Sequence, residues 1–176
     1  LPPGAYVTLE HEYILIFRKG YKREFPSSDE KELRKESAFF WEERNNWFSD
    51  VWDFKGKSQY LNINGSREKS AAFPFELAYR LVNMFSIKGD VILDPFLGTG
   101  TTILAAMASE RNSIGIELDP TFKELIISNI ESFKEYANEY IQSRLESHQD
   151  FVKMRQADEK QMKYMCDPMK YKVMTR

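Results

Sequence analysis

The sequence predicts a doubly wound α/β domain with a parallel-sheet core. Two observations carry that prediction. The compact apolar run Val91-Ile92-Leu93 leads at once into a glycine-bearing loop and an apolar helical stretch, Ile103 to Ala108. A second strand-like run, Ser113 to Glu117, then passes through Asp119-Pro120 into a long stretch with Phe122, Ile126, Ile130, Phe133, Ala137, Ile141 and Leu145 at helical spacing. A strand, helix, strand, helix order implies parallel strands joined by right-handed crossovers. At 176 residues, 42% apolar and 30% charged, the chain has material for one real core.

From the N-terminus, Tyr13-Ile14-Leu15-Ile16-Phe17 is an apolar, β-branched run closed by Arg18-Lys19-Gly20, which predicts a buried strand. Ser27-Ser28 before Asp29-Glu30 opens a capped helix that reaches Trp47, with Phe40, Arg44, Trp47 and Phe48 on one side. Residues 49–72 show no sustained period and carry turn formers, so they predict an extended connection with a short strand near Gln59–Ile63. Pro74 begins a helix whose apolar face is Leu77, Ala78, Leu81, Val82 and Phe85, and Gly89 closes the turn after it. The polar, Met-rich stretch from Lys153 to Arg176 predicts a mobile arm or a docking helix.

Several classes are disfavoured by composition. No apolar run reaches the roughly 18 residues of a spanning helix, and Leu1-Pro2-Pro3-Gly4 lacks the order of a signal peptide. The single cysteine, Cys166, excludes an internal disulfide and fits a reducing, cytoplasmic setting. His11 and His148 are far apart and unsupported by neighbouring ligand types, so no metal site is expected. The net charge of -2 speaks against a generic polycation. Between residues 55 and 69, however, Lys55, Lys57, Arg67 and Lys69 face only Glu68, which makes this stretch a candidate polyanion contact or an ordinary solvated loop. Trp41, Trp47 and Trp52 are expected to pack rather than to stack on bases.

Ligands of open α/β sheets bind at the carboxyl ends of the strands, which places the chemistry at Asp94-Pro95-Phe96-Leu97-Gly98-Thr99-Gly100-Thr101-Thr102. Gly100 is followed by Thr101-Thr102 with no lysine, so this is not a phosphate-binding P-loop. The third glycine of the dinucleotide fingerprint is replaced by Ile103, and Asp94 would sit against a pyrophosphate. A carboxylate four residues before Gly98, paired glycines, and Glu117 at 17 residues beyond Gly100 suit a cationic cofactor with a ribose diol. S-adenosylmethionine has that profile: its sulfonium and ammonium favour Asp94, and its ribose hydroxyls can donate to Glu117.

These residues resemble the amino-methylating DNA methyltransferases, acting on adenine N6 or cytosine N4, in their permuted beta-group arrangement. That family reads Asp-Pro-Phe-x-Gly-[Ser/Thr]-Gly-Thr-Thr, as Asp94 to Thr102 do, and then Ile-Gly-[Ile/Val]-Glu, as Ile114 to Glu117 do. Phe73-Pro74, Gly89-Asp90-Val91-Ile92-Leu93, Asp50-Val51-Trp52 and His11 to Leu15 are similar to its other landmarks. The resemblance implies a Rossmann-like, S-adenosylmethionine-dependent methyltransferase fold with a helical recognition insert, methylating double-stranded DNA in a restriction-modification system. It implies cofactor contacts from Phe73, Asp94, Pro95, Phe96, Gly98, Gly100, Thr101, Glu117 and Leu118, and phosphate contacts from Lys55, Lys57, Arg67 and Lys69. It divides the chain into a core strand segment (1–20), a recognition insert and linker (21–68), a cofactor-binding portion (69–150) and a C-terminal arm (151–176).

Two departures stand out. Lys69-Ser70-Ala71-Ala72 replaces the usual His-Pro-x-Pro, and the catalytic tetrapeptide [Asp/Ser/Asn]-Pro-Pro-[Tyr/Phe/Trp] is absent, the only Pro-Pro being Pro2-Pro3. The resemblance therefore implies the C-terminal portion of such an enzyme, with its catalytic residues elsewhere. A separate catalytic portion or a homodimer is the expected partner; the alternatives are a non-catalytic DNA- or cofactor-binding remnant and an RNA methyltransferase.

Overall fold

The structure, a computed structural model, describes residues 11–54, 59–63, 66–70, 73–158, 162, 164–166 and 171–173. Helix α1 (Ser28–Glu36) starts at a capping box: the Ser27 hydroxyl accepts from the Glu30 amide at 3.1 Å while Glu30 accepts from the Ser27 amide at 3.0 Å. The Ser27 amide and the Ser27 hydroxyl both donate to Glu30 Oε2 and hold that carboxyl below its usual pKa. The single helix expected to Trp47 is two helices. Ser37, the C-cap of α1, is buried: its amide and its hydroxyl both donate to the Leu33 carbonyl, at 3.0 and 2.6 Å, and the hydroxyl accepts from the Lys88 amide at 2.8 Å. Helix α2 (Trp41–Trp47) follows.

Strands β1 (Gln59–Ile63) and β2 (Ser66–Ser70) form an antiparallel hairpin with Ile63 opposite Ser66. The expected short strand is present, and it has a partner that the sequence reading did not assign. Helix α3 (Phe75–Phe85) has Pro74 as its N-cap rather than its first helical residue. Gly89 takes the left-handed φ of +79° that the turn before the next strand requires. Strand β3 (Val91–Asp94), helix α4 (Thr101–Ala108) and strand β4 (Asn112–Gly115) form the predicted parallel unit, Val91 opposite Asn112 and Asp94 opposite Gly115. A turn of 3-10 helix (Pro120–Phe122) leads into the 35-residue helix α5 (Lys123–Ala157), which runs without a break through residue 150.

The core lies on one face of the parallel pair. Trp47, Phe75, Ala78, Tyr79, Val82, Ala105 and Phe133 interlock there, with Ile92 and Leu104 beside them. The three tryptophans pack: Trp47 lies 4.8 Å from Phe39 between ring centroids, Trp41 stacks on Phe151, and the Trp52 indole donates to the Trp47 carbonyl. His148 is buried, stacked on Phe40, with Nδ1 bonded to Glu42. Arg111 is also buried; its guanidinium donates to the carbonyls of Ser86 and Ser109 and so ties the ends of α3 and α4 together ahead of β4. Desolvation lowers the pKa of that guanidinium.

A further expectation is corrected. The run Tyr13–Phe17 is not a strand, and its side chains are exposed, Phe17 to 86%. A strand needs a neighbour to complete its ladder, and none pairs with this run among the described residues. Its downstream end is fixed instead by Arg23, which ion-pairs with Asp90 at 2.7 Å. In the C-terminal arm, expected as a mobile arm or a docking helix, Lys153–Ala157 continue α5, and the described residues beyond it include β5 (Tyr164–Cys166) and β6 (Tyr171–Val173), which make a small antiparallel pair. No helix among the described residues is long and apolar enough to cross a membrane.

Candidate cofactor-binding site

The site is built at the carboxyl ends of β3 and β4. Parallel pairing aligns Asp94 with Gly115, so the loop after β3 meets the residues after β4. The Leu97 amide donates to the Ile116 carbonyl, and the Ile116 amide to the Asp94 carbonyl, each at 2.9 Å. Asp94 Oδ1 accepts from the Phe96 amide at 2.9 Å, folding the loop back over the strand end. Glu117 closes it: Oε2 accepts from the Gly98 amide at 2.7 Å and Oε1 from the Asp119 amide at 2.9 Å.

Two glycines are required by conformation. Gly98 and Gly100 adopt φ of +56° and +92°, where a side chain would strain the backbone. A Cβ on Gly98 would meet nothing within 4 Å, so the loop offers an open cradle there. Gly115 is required by packing: a Cβ would lie 2.6 Å from a methyl of the buried Leu97. Gly115→Ala is therefore expected to destabilise the fold by about 1–3 kcal/mol through displacement of Leu97. Urea denaturation checks this, and a change below about 0.5 kcal/mol, the scale of an ordinary surface substitution, would refute the packing argument.

The site is electronegative and partly apolar. Asp94 and Glu117 bring two carboxylates onto one loop, Asp119 follows in the turn after Glu117, and no basic side chain bonds to any of the three among the described residues. The Thr121 hydroxyl and amide hold the Asp119 carboxyl below its usual pKa. Phe96 and Leu118 flank the cradle almost fully exposed, at 89% and 96%. Such a site can accept hydrogen bonds from hydroxyls, balance a positive charge and cover a flat ring.

The structure brings Asp94, Phe96, Gly98 and Glu117 together through these bonds, with Pro95 in the same turn and Gly100 and Thr101 opening α4. Phe73 is not among the groups bonded to the loop. It lines an open apolar groove of about 360 Å³ with Leu77, Leu81, Phe85, Ile92 and Thr102. Lys55 and Lys57 lie outside the described residues, and Arg67 and Lys69 stand two apart in β2. Among the described residues no group of three His, Cys, Asp or Glu side chains could hold a metal ion. Sequence reasoning missed Asn129 of α5, whose amide reaches the Thr99 carbonyl at 3.0 Å. A lone asparagine in a long polar helix carries no signal of that contact.

Comparison with known proteins identifies the family. The profile of the N6/N4 family, described as DNA methylase, matches residues 2–128. The Type II methyltransferase M.MthZI of Methanothermobacter thermautotrophicus is 56% identical over 177 residues, an alignment covering 100% of this chain and 48% of that protein. M.MjaI of Methanocaldococcus jannaschii, also a Type II methyltransferase, is 52% identical over 131 residues, covering 74% of this chain and 42% of that one. A putative DNA modification methylase of Thermus thermophilus, crystallised with S-adenosyl-L-methionine, is 40% identical with a TM-score of 0.56, over 70% of this chain and 45% of that one. The chain thus spans about half the length of the curated relatives it matches.

Proposed function

We propose, from the premise that the chain belongs to the N6/N4 DNA methylase family, that the loop Asp94–Thr101 and Glu117 bind S-adenosylmethionine for methylation of an amino group of adenine or cytosine in DNA. The observation that carries this reading is the closure of Glu117 onto Gly98, which sets two carboxylates around one open glycine cradle. In this reading Asp94 faces the sulfonium and ammonium, and Glu117 accepts from the ribose hydroxyls with the lone pairs its two amide bonds leave over. Pro95, Gly98, Gly100 and Thr101 shape the cradle, Phe96 and Leu118 cover the adenine, and Phe73 stands toward the methionine end. The cofactor, when bound, supplies an activated methyl group. The crystallised Thermus relative, bound to that compound, supports the assignment.

Double-stranded DNA is the proposed substrate, in a restriction-modification setting, with Lys55, Lys57, Arg67 and Lys69 meeting phosphates from a recognition insert over 21–68. A further portion of the enzyme is the proposed partner. The second face of the parallel pair is bare, with Val91, Leu93, Ile114 and Ile116 each more than half exposed, whereas parallel sheets are ordinarily covered on both faces. A catalytic portion packed there would bury this strip and supply the missing tetrapeptide.

Calorimetry tests the cofactor reading. The chain is expected to bind S-adenosylmethionine, and Glu117→Ala to weaken binding by about 1.5–3 kcal/mol, the range for hydrogen bonds to a charged group. Equal binding by both proteins, or a preference of the wild type for NAD, would reject it.

A further inference from the structure

Strand β4 supports only the first half of the glycine loop. The Leu97 amide is held by the Ile116 carbonyl and the Gly98 amide by Glu117. Beyond Gly98 the support comes from α5, where Asn129 Nδ2 donates to the Thr99 carbonyl at 3.0 Å. Ile126, one helical turn earlier, is the nearest side chain to the Cβ position of Gly100, at 3.6 Å. The long helix therefore reaches the loop beyond Gly98 with the Ile126 side chain beside Gly100 and the Asn129 amide bonded to Thr99.

That polar bond has a specific mechanical effect. The peptide joining Thr99 to Gly100 is pinned at both ends, its carbonyl by Asn129 and its N–H by the Leu97 carbonyl at 3.0 Å. Gly100, at φ +92°, has no side chain to restrict rotation of this peptide. Thr99 is only 6% exposed, so a carbonyl deprived of Asn129 is poorly compensated by water. The orientation of the amide follows from its partner, because only the NH2 end can donate to a carbonyl. Asparagine is also a weak helix former, so helix propensity does not account for its place inside α5. The hydrogen bonds made by Asn129 and Thr99 involve no ionisable side chain.

We propose that Asn129 is a positioning residue for the cofactor loop: by pinning the Thr99–Gly100 peptide it holds the loop in the shape that receives S-adenosylmethionine. The proposal rests on the cofactor reading above, and Asn129 acts through the loop without touching the cofactor. It lies one residue past the stretch that the family profile matches.

Asn129→Asp in the full chain tests it. The substitution keeps the size of the side chain but turns an anionic acceptor toward the Thr99 carbonyl at neutral pH, and the protonated acid can donate again. Calorimetry is expected to show binding of S-adenosylmethionine weakened about tenfold or more at neutral pH, the scale of one lost hydrogen bond. The deficit relative to wild type is expected to shrink as the pH falls toward about 4, where a carboxyl of ordinary pKa near 3.9 is about half protonated. A role confined to helix stability would not give this pH-dependent rescue. Binding within about twofold of wild type at neutral pH, a ratio worth well under one hydrogen bond, or a deficit unchanged on acidification overturns the proposal. Amide exchange at Gly100 in the ligand-free protein separates it from the cofactor reading. If the wild type fails to bind, that reading falls, and faster exchange at Gly100 in the variant still sustains the positioning role, while unchanged exchange removes it.

Discussion

The chain alone is expected to bind S-adenosylmethionine yet transfer no methyl group to DNA, whereas a mixture with a portion carrying [Asp/Ser/Asn]-Pro-Pro-aromatic is expected to methylate an adenine or cytosine amino group. The sequence holds only Pro2-Pro3, between Leu1 and Gly4, and so lacks that tetrapeptide. An exocyclic amine has its lone pair delocalised into the ring. Extruding the base and aligning its amine are therefore decisive, and positioning of this kind is worth up to roughly 7–11 kcal/mol. On the proposed reading the chain holds the donor at Asp94 and Glu117, and the exposed strip of Val91, Leu93, Ile114 and Ile116 receives the added portion. Cys166 lies in β5, and Cys166→Ser should leave the restored activity intact because amine methylation needs no thiolate attack on the base. Tritiated methyl transfer followed by nucleoside analysis distinguishes the outcomes. Robust transfer by the chain alone, or transfer to cytosine carbon 5, would contradict the account, and methylation confined to RNA would change the substrate.

Glu43→Ala is expected to destabilise the fold by about 3–5 kcal/mol, the cost of leaving one partner of a buried ion pair uncompensated. Arg144 of α5 meets Glu43 of α2 through two parallel bonds, Nε to Oε1 at 2.5 Å and a terminal nitrogen to Oε2 at 2.7 Å. Its other terminal nitrogen donates to the Tyr79 hydroxyl, and the guanidinium lies over the Tyr79 ring at 5.0 Å. Burial works against the charge, but Glu43 and Tyr79 outweigh it and leave the Arg144 pKa raised. Both side chains are less than one-fifth exposed, so solvent screens the pair weakly. Removing Glu43 would strand the cation beside Trp47 and Phe40 and loosen α2 from the long helix. Urea denaturation measures the loss, and a value below about 1 kcal/mol, the ceiling for an exposed pair, would mean that this contact behaves as a surface ion pair.

What was legible in the sequence was local. The glycine loop, the flanking strands and the cap at Ser27 each follow from short patterns whose physics lies within a few residues, and all are present. The β1–β2 partner was also within reach, since Asn64-Gly65 between Ile63 and Ser66 is a strong two-residue hairpin signal. What was not legible depended on distant partners. Tyr13–Phe17 has the composition of a strand, but strand formation requires a neighbour that composition does not supply. The Ser37 hydroxyl at the end of α1 is bound by the Lys88 amide 51 positions away, and the Glu43–Arg144 pair spans 101 positions. The bond from Asn129 to the Thr99 carbonyl in the glycine loop is of the same kind, a contact between elements with no periodic trace in either.

The most direct test of the account is where S-adenosylmethionine perturbs the backbone amides of the protein in solution. Titration followed by NMR is expected to shift Phe96, Gly98, Gly100 and Asp119 first and most, because their amides belong to the loop or are held by Asp94 and Glu117. Shifts centred instead on the Phe73–Phe85 groove or on α2, with the loop amides unmoved, would contradict the assignment of the site.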